Sequence, residues 1–253
     1  RIWRKPEMSP PANPIVVIPA RMASTRLPGK PLALIAGTPM IVCVWRQAVA
    51  ANIGPVLVAA GEPEIVAAVE KAGGRAILTD PGLASGSDRV FAALNAADPG
   101  GKHDVIVNLQ GDLPALDPAQ IRIVADALGD ADIATLAAEI EDPAERSNPS
   151  VVKPVIAWDA DGQSGRALYF TRAAAPSGDG PLFHHIGIYA FRRASLARFV
   201  ALPPSALELR EKLEQLRALE AGMTIRVARV DSVPLSVDTP ADLEKARKLL
   251  GHT

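Results

Sequence analysis

The sequence predicts an α/β protein in which a Rossmann-like, mostly parallel sheet is sandwiched by helices. Apolar, β-branched runs at 15–18, 56–60 and 104–109 alternate with segments of helical periodicity. Strands and helices that alternate on this spacing form right-handed βαβ units and parallel sheets. Aromatic residues make up only 4% of the 253 residues, so small aliphatic side chains fill the core, as expected for a sheet covered on both faces.

The elements of the first half follow in chain order. Strands are expected at 15–18, 56–60, 75–78 and 104–109. Helices are expected at 39–51, 62–72, 91–97 and 118–128. Ligands of such sheets bind beyond the carboxyl ends of the strands, which draws attention to the loops that follow Ile18, Ala60 and Leu109.

The pattern changes near residue 131. Strands follow one another there with polar turns and no long helix between them, at 133–140, 151–158, 167–171 and 185–191. This predicts a smaller mixed or antiparallel insertion at about 131–192, within a single domain that spans 15–250. A helix at 206–220, a strand at 225–230 and a helix at 240–250 complete the chain. The polar, proline-rich residues 1–14 are expected to form a flexible leader.

Composition excludes several classes of protein. A formal net charge of -1 argues against a nucleic-acid binder held by a broad basic surface. The single cysteine, Cys43, cannot form an intrachain disulfide and is expected to be a buried, inert thiol in the reducing cytoplasm. No apolar run approaches the ~20 residues of a membrane helix, so no membrane contact is expected.

The loop after the first predicted strand concentrates positive charge. Arg21, Arg26 and Lys30 lie within ten residues of one another, among Ser, Thr and Gly. Such a loop can direct backbone N–H groups inward while its cations neutralise a triphosphate. The spacing is not that of a Walker A loop. The alternative is a solvated surface loop, which its place at a strand end disfavours.

Two carboxylates are candidates for a metal site. Asp112 follows an apolar strand and Gly111, so its side chain can reach a ligand without backbone crowding. Magnesium takes one or two carboxylates together with phosphate oxygens. Asp238 precedes Thr239 and Pro240, where Asp238 or Thr239 could instead cap the following helix. Both interpretations of Asp238 remain open at this point.

The remaining polar candidates are weaker. His184 and His185 are adjacent on a predicted strand, so they point to opposite faces and cannot easily ligate one ion. His185 is the better placed of the two to face a ligand, as a hydrogen-bond donor. Glu214 and Gln215 alone would be interpreted as a solvated pair.

Taken together, these segments resemble the 3-deoxy-manno-octulosonate cytidylyltransferases, also called CMP-Kdo synthetases. The similarity runs from about 15 to 249, and its motifs lie at 18–31, 109–114, 185–189, 213–217 and 237–243. The first motif is shared with other sugar nucleotidyltransferases, whereas the last three in this order are particular to the Kdo enzymes. The chain departs from the family pattern at Leu113, where an acidic residue is common, at 85–89, and at 59–62, which lacks a Thr-Asp pair.

The resemblance implies a role for each matching residue. The triphosphate would be held by Arg21, Arg26 and Lys30, with Ala20 beside the nucleotide. The cytosine and ribose pocket would be lined by Ser85 and Gly86, with Arg89 nearby. Magnesium would be bound by Asp112 and Asp238. The sugar acid would be contacted by Gln110, His185, Tyr189, Glu214 and Gln215, with Arg172 close to the reactants.

The activity implied by the resemblance is magnesium-dependent transfer of CMP from CTP to Kdo, for lipopolysaccharide biosynthesis, by a cytoplasmic homodimer. One alternative is a cytidylyltransferase for a related acidic sugar. Another is a nucleotide-binding regulator without turnover, which would have no use for both Asp112 and Asp238.

Overall fold

The computed structural model describes residues 13–251. Eleven strands are found in that part of the chain: β1 Pro14–Ala20, β2 Leu34–Ile35, β3 Thr38–Pro39, β4 Val56–Ala60, β5 Arg75–Leu78, β6 Val105–Asn108, β7 Ile133–Glu139, β8 Lys153–Trp158, β9 Ser164–Thr171, β10 Phe183–Arg192 and β11 Ile225–Val230. The α-helices are α1 Met40–Ala51, α2 Pro63–Lys71, α3 Gly86–Ala97, α4 Pro118–Asp126, α5 Pro143–Ser147, α6 Arg193–Ala201, α7 Ala206–Glu211, α8 Leu216–Glu220 and α9 Pro240–Leu250.

Nine strands form one sheet in the order β5-β4-β1-β6-β10-β7-β11-β9-β8, and β2 and β3 form a small hairpin. The part from β5 to β6 is entirely parallel. β10 is antiparallel to both of its neighbours, β6 and β7, while β11 is parallel to β7. β9 and β8 complete the sheet as antiparallel strands. The predicted α/β fold class is confirmed.

The strands between 131 and 192 belong to this same sheet. β7 and β10 lie in its interior, and β8 and β9 form its far edge. The antiparallel character expected from the sequence is therefore present as an extension of the parallel part. The sequence pattern could not show that β10 returns to pair with β6, because that pairing joins residues far apart in the chain.

Both faces of the sheet are covered by helices. Successive side chains of a strand point to opposite faces, and in β1 Val16 and Ile18 face a core shared with α1, α2 and α4. Ile15 and Val17 face a second core shared with α3, α6 and α8. α9 packs instead on the β2–β3 hairpin and α1 through a smaller cluster that includes Leu243.

Several predicted boundaries shift for local reasons. The helix expected at 91–97 begins at Gly86, because Ser85 forms a capping box with Asp88. The helix expected at 206–220 is two helices, since Lys212 adopts a left-handed conformation (φ 56°) that ends α7. α6 and the short α5 were not expected. Pro14 is the first residue of β1, and residues 1–12 of the predicted leader lie outside the described residues.

Two expectations from composition can be compared with the structure. Within residues 13–251, no helix has the length and apolar character that crossing a membrane requires. Cys43 is a free, half-buried thiol, and burial raises its pKa, which keeps it protonated and unreactive at neutral pH.

Candidate active site

A cavity of about 710 Å³ opens beyond the carboxyl ends of β1 and β6. This is the edge of the sheet at which ligands of open α/β folds bind. Nine of the residues predicted from sequence line it: Ala20, Arg21, Arg26, Lys30, Ser85, Gly86, Arg89, Gln110 and Asp112. Ser24 and Thr25, from the loop that carries the cations, also line it.

The two predicted metal ligands meet at one ammonium group. Lys30 Nζ lies 2.9 Å from Asp112 Oδ2 and 3.2 Å from Asp238 Oδ1, and it donates a hydrogen bond to each. Arg26 Nη2 lies 3.2 Å from the same oxygen of Asp238. Residues 30, 112 and 238 are distant in sequence, so the fold alone brings these charges together.

Close backbone packing delivers Asp112 to this position. A Cβ atom added to Gly111 would lie 2.9 Å from the carbonyl oxygen of Pro19, so only glycine allows the two strand ends to approach each other this closely. The carbonyl oxygen of Asp112 in turn accepts a hydrogen bond of 2.9 Å from the N–H of Val237. That bond fixes the segment before α9 against the site.

The two interpretations of Asp238 are resolved by its neighbour. Thr239 is the N-cap of α9, and it forms a capping box with Asp242. The carboxylate of Asp238 is therefore left to face Lys30 and Arg26. Sequence spacing alone left either residue available as the cap.

The charges of this cluster are mutually dependent. Burial raises the pKa of Asp112, and the Lys30 ammonium opposes that effect. Burial acts to lower the pKa of Lys30, but the attraction of Asp112 and Asp238 outweighs it, so the pKa of Lys30 is raised. Lys30 is therefore a cation throughout the physiological range and holds two carboxylates close together.

This pair of carboxylates fits a magnesium ion. Two hard oxygen donors converge on one cationic group here, and Mg²⁺ is bound in proteins by one or two carboxylates together with phosphates and waters. No cluster of three or more His, Cys, Asp or Glu side chains suited to a metal occurs between residues 13 and 251. A metal held by Asp112 and Asp238 would thus take its remaining ligands from substrate oxygens and water.

Arg89 shapes the cavity wall. Its side chain is only 2% exposed, and its Nη1 donates to Thr79 Oγ1 at 2.6 Å and to the carbonyl of Asp80 at 3.1 Å. Gly61 packs so closely that an added Cβ would lie 3.2 Å from this Nη1. Arg89 therefore braces the segment after β5 at the wall of the cavity.

A residue outside the prediction anchors the cation loop. Glu62 Oε2 accepts a hydrogen bond of 2.8 Å from the N–H of Met22, directly after Arg21. The departure from the family pattern at 59–62 thus coincides with a carboxylate that holds the loop.

The predicted acceptor residues form a second group beside the cavity. The rings of His185 and Tyr189 are 5.5 Å apart, and that of His185 is 5.1 Å from Phe170. Burial raises the pKa of Tyr189, and the nearby charge of Glu214 raises it further. Ser87, in the first turn of α3, donates to Glu214 Oε2 at 3.0 Å. The same turn begins at Ser85, which lines the cavity, so the two groups adjoin.

Glu214 and Gln215 are not the solvated pair that their sequence alone suggests. Gln215 is 6% exposed, and burial raises the pKa of Glu214. Glu214 Oε1 and Gln215 Nε2 are buried and have no hydrogen-bond partner among residues 13–251. Unpaired buried polar atoms are costly, so this pair indicates a place for a polar ligand.

The two adjacent histidines have separate environments. His184 Nδ1 lies 3.1 Å from Glu145 Oε2, whereas the ring of His185 packs edge-to-face against Phe170 and at a tilt against Tyr189. The expectation that they do not share one ion agrees with this placement. Burial lowers the pKa of His185 to about 3, and the charge of His184 adds to the effect, so the His185 ring is neutral.

Arg172 does not line the cavity. Its guanidinium donates to the carbonyl oxygens of Glu211 at 2.9 Å, Pro149 at 3.0 Å and Lys212 at 3.4 Å. It therefore fixes the end of α7, which leads directly into Glu214 and Gln215. Its predicted proximity to the reactants remains a prediction.

Comparison with known proteins agrees with this site. Residues 15–225 match the family described as Cytidylyltransferase. The chain is 67% identical over 242 residues to a 3-deoxy-manno-octulosonate cytidylyltransferase of Parvibaculum lavamentivorans, covering 95% of this chain and 93% of that protein. It is 63% identical over 242 residues to the protein of the same name in Rhodospirillum centenum, covering 95% and 94%.

Two solved structures share the fold. CMP:2-keto-3-deoxy-manno-octonic acid synthetase, solved in complex with CTP, superposes with a TM-score of 0.87 at 38% identity, over 95% of this chain and 99% of that one. A nucleotidyl transferase from Methanothermobacter thermautotroptrophicus has a TM-score of 0.63 at 16% identity, over 95% and 98%, a similarity of fold alone. The chain therefore belongs to the cytidylyltransferase family and, within it, to the 3-deoxy-manno-octulosonate cytidylyltransferases.

Proposed function

We propose that this protein transfers CMP from CTP to the anomeric hydroxyl of 3-deoxy-D-manno-octulosonate (Kdo), which gives CMP-Kdo and pyrophosphate for lipopolysaccharide biosynthesis. The observation that carries the proposal is the cluster in which Lys30 and Asp112, in the lining of a cavity rich in cations, meet Asp238. The names of the close relatives and the CTP bound to the structural neighbour support the two substrates.

The cavity residues would bind the nucleotide through side-chain cations and through the N-terminus of a helix. Arg21, Arg26 and Lys30 supply positive charge for the triphosphate and for the departing pyrophosphate. Ser85 and Gly86 place the N-terminus of the 12-residue helix α3 at the cavity wall, where its free N–H groups favour negative charge.

The acceptor residues supply orientation. Glu214 Oε1 is a free acceptor and Gln215 Nε2 a free donor, which suits the hydroxyls and carboxylate of a sugar acid. Gln110 lines the cavity and donates to Asn108 Oδ1 at 3.1 Å. Holding the acceptor hydroxyl near the α-phosphorus makes the reaction effectively unimolecular.

Magnesium belongs to the same proposal. Asp112 and Asp238 would hold the ion, which lowers the pKa of the acceptor hydroxyl and neutralises charge on the α-phosphate. Lys30, which shares both carboxylates here, is the side chain that would exchange them for phosphate oxygens.

The expected chemistry is a direct in-line displacement. The anomeric hydroxyl gives up its proton to water, and its oxygen forms a bond to the α-phosphorus. The bond between that phosphorus and the oxygen of the β-phosphate breaks, and pyrophosphate leaves with the electron pair. Positioning and charge neutralisation dominate such transfers. The cavity lining contains no Ser-His-Asp or Cys-His set that would support a covalent intermediate.

The test is pyrophosphate release from the purified protein with CTP and Kdo, with and without Mg²⁺. ATP, GTP, UTP and a sialic acid serve as alternative substrates. Release that requires CTP, Kdo and Mg²⁺ together is expected. Release with a different acidic sugar and none with Kdo would show that the acceptor is that other sugar. Binding of CTP without pyrophosphate release for any sugar would favour a regulatory protein.

The assembly and location are proposed from the family alone. We expect a homodimer in the cytoplasm, where CTP is available. Light scattering on the purified protein should give twice the mass of one chain, and a monomer mass at micromolar concentration would contradict the dimer.

A further inference from the structure

The polar residue Thr135 is buried in the middle of an otherwise apolar strand. Its neighbours in β7 are Ile133, Ala134, Leu136 and Ala137, and Thr135 is 0% exposed. A buried hydroxyl is kept in such a strand only if it is hydrogen-bonded. The partners of this hydroxyl therefore indicate what the residue does.

An irregularity in the sheet provides those partners. In the ladder between β10 and β7, Ile186 lies opposite Leu136 and Tyr189 lies opposite Thr135, so two residues of β10 have no counterpart in β7. Such a bulge redirects backbone groups and side chains. Thr135 Oγ1 lies 2.8 Å from the carbonyl oxygen of Ile188, 3.1 Å from that of Ile186 and 3.0 Å from His185 Nε2.

Counting the available hydrogens shows which groups donate and which accept among Thr135, His185 and the two carbonyl oxygens. The Thr135 hydroxyl has one hydrogen, and the two carbonyl oxygens can only accept. If that hydrogen pointed to His185 Nε2, the hydroxyl oxygen would face a carbonyl oxygen at 2.8 Å with no hydrogen between them. The hydroxyl therefore donates to a carbonyl, and His185 Nε2 carries the hydrogen that it donates to Thr135.

The other ring nitrogen of His185 then has no hydrogen. A neutral imidazole carries one N–H, and the ring is neutral because burial lowers its pKa to about 3. Among residues 13–251, Nδ1 of His185 has no hydrogen-bond partner. The His185 ring packs 5.5 Å from that of Tyr189, which in turn lies near Glu214, so this acceptor nitrogen belongs to the group of residues proposed to contact the sugar acid.

We propose that Thr135 is a positioning residue for the acceptor substrate: its hydroxyl fixes His185 as the Nε2–H tautomer, so that Nδ1 accepts a hydrogen bond from a hydroxyl of the sugar acid. The identity of that hydroxyl as part of Kdo rests on the proposed function. In this role His185 accepts a hydrogen bond from the ligand, whereas the sequence predicts that it donates one. His185 Nδ1 and Glu214 Oε1 would then both accept, so this part of the site would favour ligand groups that donate a hydrogen, such as hydroxyls.

The tautomer can be measured without any substrate. Long-range ¹H–¹⁵N correlation spectra of the wild-type protein should show His185 protonated at Nε2 alone, with its signals assigned by their loss in His185→Asn. Thr135→Val, which keeps the shape and removes the hydroxyl, should shift the ring toward the Nδ1–H tautomer. A wild-type ring protonated at Nδ1 would overturn the proposal, even if the valine variant failed to fold.

Steady-state kinetics give the second readout. Thr135→Val should raise KM for Kdo about three- to tenfold, as expected for one hydrogen bond between neutral groups, while KM for CTP stays unchanged. Thr135→Ser should restore both the tautomer and KM. Ser195→Ala is the matched control, since it removes another buried hydroxyl, one that donates to Asp132 at 2.8 Å outside the cavity lining.

The outcomes separate this role from the proposed function. A valine variant with the wild-type tautomer and the wild-type KM for Kdo would overturn the positioning role. If wild-type His185 is the Nε2–H tautomer but Kdo is not turned over, the proposed acceptor is wrong and the role of Thr135 toward His185 stands.

Discussion

At the scale of single residues, the charges of the site converge on Lys30. One ammonium group bonds to two carboxylates that belong to different loops, and Arg26 neutralises Asp238 further. The cluster of these four side chains is therefore balanced in charge, two cations against two carboxylates. Each carboxylate can be neutralised by mutation with little change of shape.

Asp112→Asn and Asp238→Asn are each expected to lower kcat on the order of 100-fold or more, since each removes a charge that the reaction needs at a fixed place. Folding should be retained, because asparagine has the same shape. Asp130→Asn is the matched control, an exposed carboxylate 3.7 Å from Arg192. Pyrophosphate release measures the rate, and circular dichroism shows whether each variant is folded. Wild-type turnover in either site variant would refute the metal assignment.

The burial of His185 predicts how the free energy of unfolding changes at acidic pH. Its pKa is about 3 in the folded protein and ~6.5 in an unfolded chain. Between those values the unfolded chain binds a proton that the folded protein does not, so the free energy of unfolding falls as pH falls below about 6.5. His185→Gln should show a shallower decline in urea titrations between about pH 6.5 and 4. Slopes that are equal for the two proteins would contradict the burial of a neutral ring.

Some residues of the site could be predicted from the sequence, whereas the contacts of others could not. Lys30 and Asp112 were predictable because each follows a strand end, where ligands of this fold bind. Thr135 has a visible signal, a hydroxyl inside an apolar strand, but its partners depend on a bulge. The bonds of Arg172 could not be predicted, because they go to backbone carbonyls of residues 149, 211 and 212.

At the scale of elements, capping boxes begin three of the helices. Ser85 begins α3, Ser205 begins α7 and Thr239 begins α9. Ser85 lines the cavity and Thr239 follows Asp238, whereas Ser205 does not line the cavity. The same local motif thus lies away from the cavity in one place and at its wall in another.

Ser85→Ala and Ser205→Ala form a matched pair. Each should lower the free energy of unfolding by about 1 kcal/mol, the usual cost of a lost N-cap. Only Ser85→Ala should also raise KM for CTP, because its hydroxyl and the first turn of α3 face the cavity. Urea denaturation and initial rates measure the two effects. An equal effect of both variants on KM for CTP would show that Ser85 acts only through stability.

The boundaries of elements were predictable where local signals are strong. The strands at 56–60, 75–78 and 225–230 have the expected bounds because apolar runs and turn residues delimit them. α6 was missed because it follows β10 directly, with no turn residue between Arg192 and Arg193 to mark where the strand ends and the helix begins. The break at Lys212 has no sequence signal, because a left-handed residue is usually glycine or asparagine.

At the scale of the whole molecule, a chain with net charge -1 concentrates positive charge at one edge of its sheet. The cavity lining holds Arg21, Arg26, Lys30 and Arg89 against a single carboxylate, Asp112. Local charge of this kind attracts anions even when the overall charge is close to zero. The sequence shows the cations, but only the fold shows that they face one cavity.

Affinity for CTP should therefore depend on salt. Raising NaCl from about 0.05 M to about 0.5 M shortens the screening length severalfold, so the Kd for CTP should rise. Cytidine, which has no phosphates, is the control and should bind with a Kd that changes little. Isothermal titration calorimetry measures both. An identical salt response of the two ligands would show that the cations do not contact the phosphates.

The order of the strands could not be predicted from periodicity. The parallel part was predictable as βαβ units, because each unit is local in sequence. The antiparallel part was predictable only as a run of strands, since the position of β10 between β6 and β7 depends on distant pairings.

The two parts of this sheet hold different substrates in the proposed reaction. The cation loop and Asp112 follow β1 and β6 of the parallel part, while His185 and Tyr189 belong to β10 of the antiparallel part. Evolution can therefore alter the acceptor by substitutions on one side of the β6–β10 boundary and leave the nucleotide side intact. A single ancestral fold could diversify its sugar in this way while it continued to use one nucleotide.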